Sequence, residues 1–250
     1  MKNNLINYTL HLADTTLILS HRNSEWCGHG PILEQDIALT NIALDLLGQA
    51  RNFYQYTASL LGNEFDEDKL AYLRNPDEFK NHLITEQPND DWAVTILRQF
   101  YFSNYQYFYY LELQKSNNEQ IAAIASKALK EVTYHLRWSS EWVIRLGDGT
   151  AESNNKMQNA VELLKYYVGE FFIMSDYETE LLKDAISVDL KGIQAKWQQK
   201  INDIFEEATL NFIVSDNSQI GGKNGNHSEH LDSLLAEMQI LQRTYPNSIW

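Results

Sequence analysis

The sequence predicts an all-α protein built on a bundle of long helices. Three observations carry the prediction. Only 4 prolines and 11 glycines occur in 250 residues, so long helices are rarely interrupted. Apolar residues return in alternating steps of three and four, the spacing of a helix face turned toward other helices. Hydrophobic residues reach 44% yet form no long uninterrupted run, which points to a buried core and not to a membrane span.

The first helix is expected from Leu5 to about Ser20, where Leu5, Tyr8, Leu12, Thr15 and Leu19 share one face. His11 and Asp14 stand three apart on it and are expected as a hydrogen-bonded or exposed pair. Gly28, Gly30 and Pro31 make Ser24–Pro31 a loop. A second helix follows from about Ile32 to Leu61, with Gly62 just past its end. Its seam reads Leu39, Ile42, Leu46, Gln49, Phe53, Tyr56, Leu60. From Asn63 to Asp90 the period is lost, and short helical turns are expected near Glu67–Leu73 and Glu78–Leu83. So long a connection should pack on the bundle as a crossover.

Asp91 can cap a third helix that runs to about Lys115 through the aromatic stretch FYFSNYQYFYYLEL. Aromatics on every side predict core plus an interface. Ser116 and Glu119 form a capping box for a fourth helix, Glu119–Leu146, stopped by Gly147-Asp148-Gly149. Its seam is Ile121, Ala125, Ala128, Val132, His135, Ser139, Trp142, Leu146. Beyond it, Ser175 with Glu178 and then Asp189 open further helices, the second reaching about Leu210. The loop GGKNGNH at 221–227 lacks the Gly-Lys-Ser/Thr ending of a phosphate loop. A last helix covers Ser228 to Tyr245. His227 and His230 could form a surface zinc site, but capping and partner contact are the stronger expectation.

Four long helices joined by a tight link, a long crossover and a tight link follow the ferritin-like order. The expected organisation is one domain over 1–250, with the bundle at 5–146 and a helical extension at 151–250. Di-iron proteins of that order place Glu-x-x-His pairs on two of the helices. The corresponding seams here offer Leu46 with Gln49 and Val132 with His135. No Glu-x-x-His occurs anywhere, while Glu25/His29, Glu78/His82 and Glu131/His135 are spaced by four. Leu46 and Val132 would present methyl groups where iron should sit, and Gln49 is a poor ligand for a hard cation. No bound metal or cofactor and no catalytic residue is therefore expected. Buried His135 needs a hydrogen-bond partner, and Gln49 is the candidate.

Acidic residues outnumber basic ones 34 to 20, giving a net charge of −14, which disfavours nucleic acid. One cysteine, Cys27, leaves no internal disulfide and is expected as a small buried thiol. With no membrane span and no signal-like start, the protein is expected in the cytoplasm.

Four blocks carry a resemblance. They are SEWCGHGPILEQDIALTNIALDLLGQARN at 24–52, KALKEVTYHLRW at 127–138, RLGDGT at 145–150 and GGKNGNHSEHLDSLLAEMQILQR at 221–243. Together they make the chain resemble the family of non-catalytic, ferritin-like subunits of the bacterial phenylacetyl-CoA 1,2-epoxidase, over essentially its whole length. The resemblance implies a ferritin-like fold in a multicomponent monooxygenase. It implies as partner the di-iron catalytic subunit of the same complex, which uses O₂ and electrons from a flavin and iron–sulfur reductase. It implies for this chain a silent, supporting role, with Leu46, Gln49, Val132 and His135 at vestigial ligand positions. Two competing readings are a self-sufficient di-iron oxygenase using Asp14, Asp45, Glu131 and His135, and a helical acyl-CoA-binding protein.

Overall fold

A computed structural model describes every residue except 213, 214, 216, 247, 249 and 250. Those six lie in the expected helical extension, and the expectation there falls outside the described residues. The described chain is all-helical: α1 (Lys2–Ser24), α2 (Leu33–Leu61), α3 (Glu67–Tyr72), α4 (Trp92–Leu113), α5 (Glu119–Gly147), α6 (Ala151–Leu164), α7 (Asp176–Leu182), α8 (Leu190–Glu207) and α9 (Glu229–Thr244). The fold class is as predicted, and two long helix pairs joined by an extended crossover agree with a ferritin-like order. Among the described residues no helix is long and apolar enough to cross a membrane. By their contacts the residues form two compact units, Met1–Pro88 with Gly221–Trp250, and Asn89–Ile220.

In the first unit α1 and α2 pack along each other, and α3 lies against α2 and α9. From Tyr8 to Ser20 every residue of α1 is buried, so its polar side chains must find partners inside. Thr9 and Thr16 donate back to the Leu5 and Leu12 carbonyls, each at 3.0 Å. Ser20 donates to the Ala43 carbonyl of α2 at 2.7 Å. The helix runs one turn further than expected, where Ser24 donates to the Ser20 carbonyl and Arg22 to the Glu86 carbonyl. Gly62 ends α2 at φ +120°, a conformation that a Cβ would disfavour.

The crossover departs from expectation. Glu67–Tyr72 is helical, but Glu78–Leu83 is not; short 3₁₀ turns occupy Pro76–Glu78 and Leu83–Glu86 instead. The reason is long-range. The Lys80 N–H donates to Asp14 at 2.8 Å and the Lys80 carbonyl accepts from His11 at 2.7 Å, both on α1. A backbone paired to another helix cannot also close helical turns of its own.

In the second unit α4 and α5 pack as a long pair, with α6 and α8 against both. Asp91 caps α4, accepting from the Val94 N–H at 2.9 Å, as expected. The expected Ser116/Glu119 box does not form. Asn118 caps α5 by accepting from the Ile121 N–H at 3.0 Å, while the Ser116 hydroxyl accepts from the Asn118 N–H at 3.2 Å and donates to the Ile186 carbonyl at 2.8 Å. The Ser175/Glu178 box does form around α7, and Asp189 opens α8.

The aromatic run of α4 makes this unit's core. Tyr105 stacks on Phe171 with ring centroids 4.6 Å apart and planes at 6°. Trp197 of α8 is buried, donates its indole N–H to the Tyr101 carbonyl at 3.1 Å, and packs edge-on against Phe172. Most of the α4 rings are enclosed, so the core half of the expectation holds, while Tyr107 and Phe108 stay half-buried. Trp197→Ala removes a full indole and leaves the Tyr101 carbonyl without its donor. It should lower unfolding free energy by about 3–5 kcal/mol, read from urea denaturation; a loss below about 1 kcal/mol would contradict this account.

Candidate functional site

The two seams singled out in the sequence are both inward-facing. On α2, Leu39, Ile42, Leu46, Gln49 and Phe53 are buried, with Leu46 fully enclosed. On α5, Ile121, Ala125, Ala128, Val132, His135 and Ser139 are buried, Val132 and His135 completely. Each seam then drifts off its expected line. Tyr56 and Leu60 are only half-buried while Thr57 turns inward on α2; Trp142 and Leu146 are half-buried while Val143 and Gly147 turn inward on α5. A straight helix advances 3.6 residues per turn, so a strict 3.5-residue pattern slips after three or four turns.

The interior of the second unit is polar in places, and it encloses two acids, Glu170 and Glu178, the second of them closing the capping box of α7. On α4, Gln99 donates to Ser103 at 2.7 Å and Gln106 donates to the Tyr110 hydroxyl at 3.1 Å, all four side chains being buried. Burial, opposed by the Gln106 hydrogen bond and aided by the charge of Glu131, holds the Tyr110 phenol well above its usual range. Amides, hydroxyls and a protonated phenol do not grip hard cations as carboxylates do.

In the first unit the buried acid Asp14 is already saturated. Asp14 of α1 accepts from the Tyr54 hydroxyl of α2 at 2.6 Å, from the Lys80 backbone N–H, and from both terminal nitrogens of Arg74. Arg74 also lies 4.2 Å over the Phe79 ring. Burial alone would weaken the charge on Arg74, but the Asp14 carboxylate outweighs it and holds the guanidinium protonated above its ordinary value. Tyr54 is pushed well up by burial and by the same carboxylate. The expected His11/Asp14 pair is thus buried, with His11 donating to Lys80 and Asp14 forming an ion pair that nothing in the sequence announced.

A second buried acid, Glu86, closes the other side of the crossover. Its oxygens take His227 at 2.5 Å and both the backbone N–H and hydroxyl of Ser228 at 2.9 and 2.7 Å. His227 also donates to the Phe79 carbonyl at 2.9 Å. Gly225, at φ +84°, brings its backbone so close that a Cβ would stand 2.3 Å from the Asp77 carbonyl oxygen. The expectation of capping at His227 is met through Glu86, whose carboxylate binds the start of α9. His230 lies half-buried, its carbonyl accepting from Arg22 at 3.4 Å.

The remaining candidates are placed as follows. Cys27 is exposed, not buried as expected, because the 25–32 turn carries it on its outer side. Glu25 pairs with Arg22 at 2.7 Å, and Glu78 caps Asn75 at 2.7 Å, so neither faces its spaced histidine as a ligand pair. Asp45 and Glu131 are half-buried. Among the described residues no three His, Cys, Asp or Glu side chains gather in a group able to hold a metal. Taken position by position, Leu46, Gln49 and Val132 are not ligands for a hard cation, and His135 alone of the four is an ordinary metal-binding side chain.

All 250 residues match the family described as phenylacetic acid catabolic protein. The chain is 46% identical over 248 residues, 99% of this chain and 100% of the relative, to the C subunit of the 1,2-phenylacetyl-CoA epoxidase of Escherichia coli (strain K12).

The buried acids make two effects measurable. Arg74→Met strands Asp14 in the interior and should cost about 3–5 kcal/mol in chemical denaturation, whereas Arg51→Met on the surface should cost under about 1 kcal/mol. At His227, burial opposes the charge, but Glu86 and the Phe79 carbonyl prevail and raise its pKa above 6.5. A raised pKa means the folded state binds the proton more tightly. The clamp's contribution is therefore fully present below the ordinary histidine value and fades as pH rises through the folded-state value. His227→Gln should flatten the fall in stability between neutral and mildly alkaline pH, measured by thermal melts across that range.

Proposed function

The chain belongs to the phenylacetic acid catabolic protein family, and from that premise we propose that it is the catalytically silent subunit of a phenylacetyl-CoA 1,2-epoxidase. In this reading it pairs with a di-iron catalytic subunit and supports it by burying helical surface. The E. coli relative is named as the C subunit of such an epoxidase, and the likeness spans both chains nearly end to end. The observation that carries the silent role is the pair of enclosed aliphatic residues, Leu46 and Val132. Each stands three residues before a buried nitrogen-bearing side chain, Gln49 or His135, at the spacing of a ligand pair. These four positions are read as remnants of a ligand set whose carboxylates have been replaced.

The competing ligand set is weakened by Asp14. Its carboxylate would have to abandon Arg74, Tyr54 and the Lys80 N–H to bind iron. The test is a metal analysis of the purified chain together with expression of the catalytic partner on its own. We expect far less than one iron per chain, and a catalytic partner that loses activity or solubility without this protein. About two irons per chain would establish the self-sufficient oxygenase instead. Full activity of the catalytic partner by itself would remove the supporting role.

A further inference from the structure

Helix α2 is apolar on two opposite faces. One is the buried seam through Leu39, Ile42 and Leu46. The other is exposed: Leu33 is 72% accessible, Leu44 60%, Ile37 51% and Leu47 40%. Steps of four, seven and three residues place these four within about 100° of arc, opposite the core face, along roughly 20 Å of helix. Scattered surface leucines need no explanation, but a continuous stripe at bundle spacing does.

Gly48 shapes the same face. It lies on the same exposed face, beside Leu44 and Leu47, and a Cβ built there would meet nothing within 4 Å. A glycine inside a helix is about 1 kcal/mol less favourable than alanine. Nothing within the chain needs the gap, so it leaves room for a backbone or side chain from outside.

We propose that this stripe is the docking face for a helical partner subunit, which lays its own apolar stripe into the groove beside Gly48. The proposal rests on the supporting role argued above and names the surface that performs it. Charge selects the occupant. The chain carries −14, with Glu34 and Asp36 at the N-terminal end of the stripe and the exposed Arg51 at its C-terminal end. Two copies could pair Arg51 with those acids only by bringing together two chains of −14 each, whereas a partner of net positive charge, with lysines or arginines opposite Glu34 and Asp36, is attracted as a whole.

The test uses the full-length chain co-expressed with the catalytic partner from the same host. The double variant Leu44→Glu/Leu47→Glu should keep the helicity and melting temperature of the isolated chain, since both side chains are exposed. It should weaken the complex by about a hundredfold or more. Gly48→Leu serves as a second probe. It should leave the isolated chain as stable or more so, and weaken the complex about tenfold or more. If the wild-type chain binds the catalytic partner and all these variants bind equally well, the face is wrong while the function stands. If the wild-type chain binds no catalytic partner, the functional reading itself fails. If the isolated wild-type chain sediments as a dimer that the double variant dissolves, the occupant is a second copy and the proposal is overturned.

Discussion

The carboxylate of Asp14 is the constraint around which the first unit is arranged. A charge so fully buried is tolerable only with every lone pair engaged. Tyr54 brings α2 to it, Arg74 brings the segment after α3, and the Lys80 N–H brings the crossover backbone. Three segments distant in sequence are thereby held at one atom pair. Because the pairing needs Lys80 in an extended stretch, it also dictates where the crossover can and cannot be helical. Glu86 repeats the principle nearby, drawing His227 and Ser228 onto the same crossover.

Buried acids in both units are placed with partners. Asp14 and Glu86 meet arginine, histidine and backbone donors, and Glu178 accepts from the Ser175 N–H and hydroxyl. At the four seam positions the side chains are two aliphatic groups, one amide and one imidazole. That is the composition expected of a member of this family whose value lies in its surfaces. The two apolar faces of α2 express this directly, one turned to its own core and one to solvent.

Much of this was legible in the residues because local rules and tertiary structure agree. The seams of α2 and α5 follow from periodicity alone, and they fail in their last turns only because 3.6 and 3.5 residues per turn diverge. Asp91, Asp189 and the Ser175/Glu178 box work as caps, as their spacing to the helix starts predicts. Where a distant partner competes, local reading failed. Ser116 is diverted to Ile186 and yields its place to Asn118. Phe79–His82 is diverted to α1 and never becomes helix. Cys27 follows a general preference for burial that its turn overrides. The Asp14–Arg74 and Glu86–His227 pairs join residues 60 and 141 positions apart, and no short-range pattern encodes such a meeting.

The latch between Gly225–Ser228 and the crossover has a consequence for how the chain is made. The second unit is continuous, 89–220, and all of its contacts are present once those residues have been synthesised. The first unit begins at the N-terminus yet requires residues from 221 onward to neutralise Glu86 and cover the crossover. On the ribosome its early helices must wait, with Glu86 lacking its His227 and Ser228 partners, while about 130 residues of the other unit emerge. Order of synthesis and order of completion are therefore reversed: the portion translated first is the portion finished last.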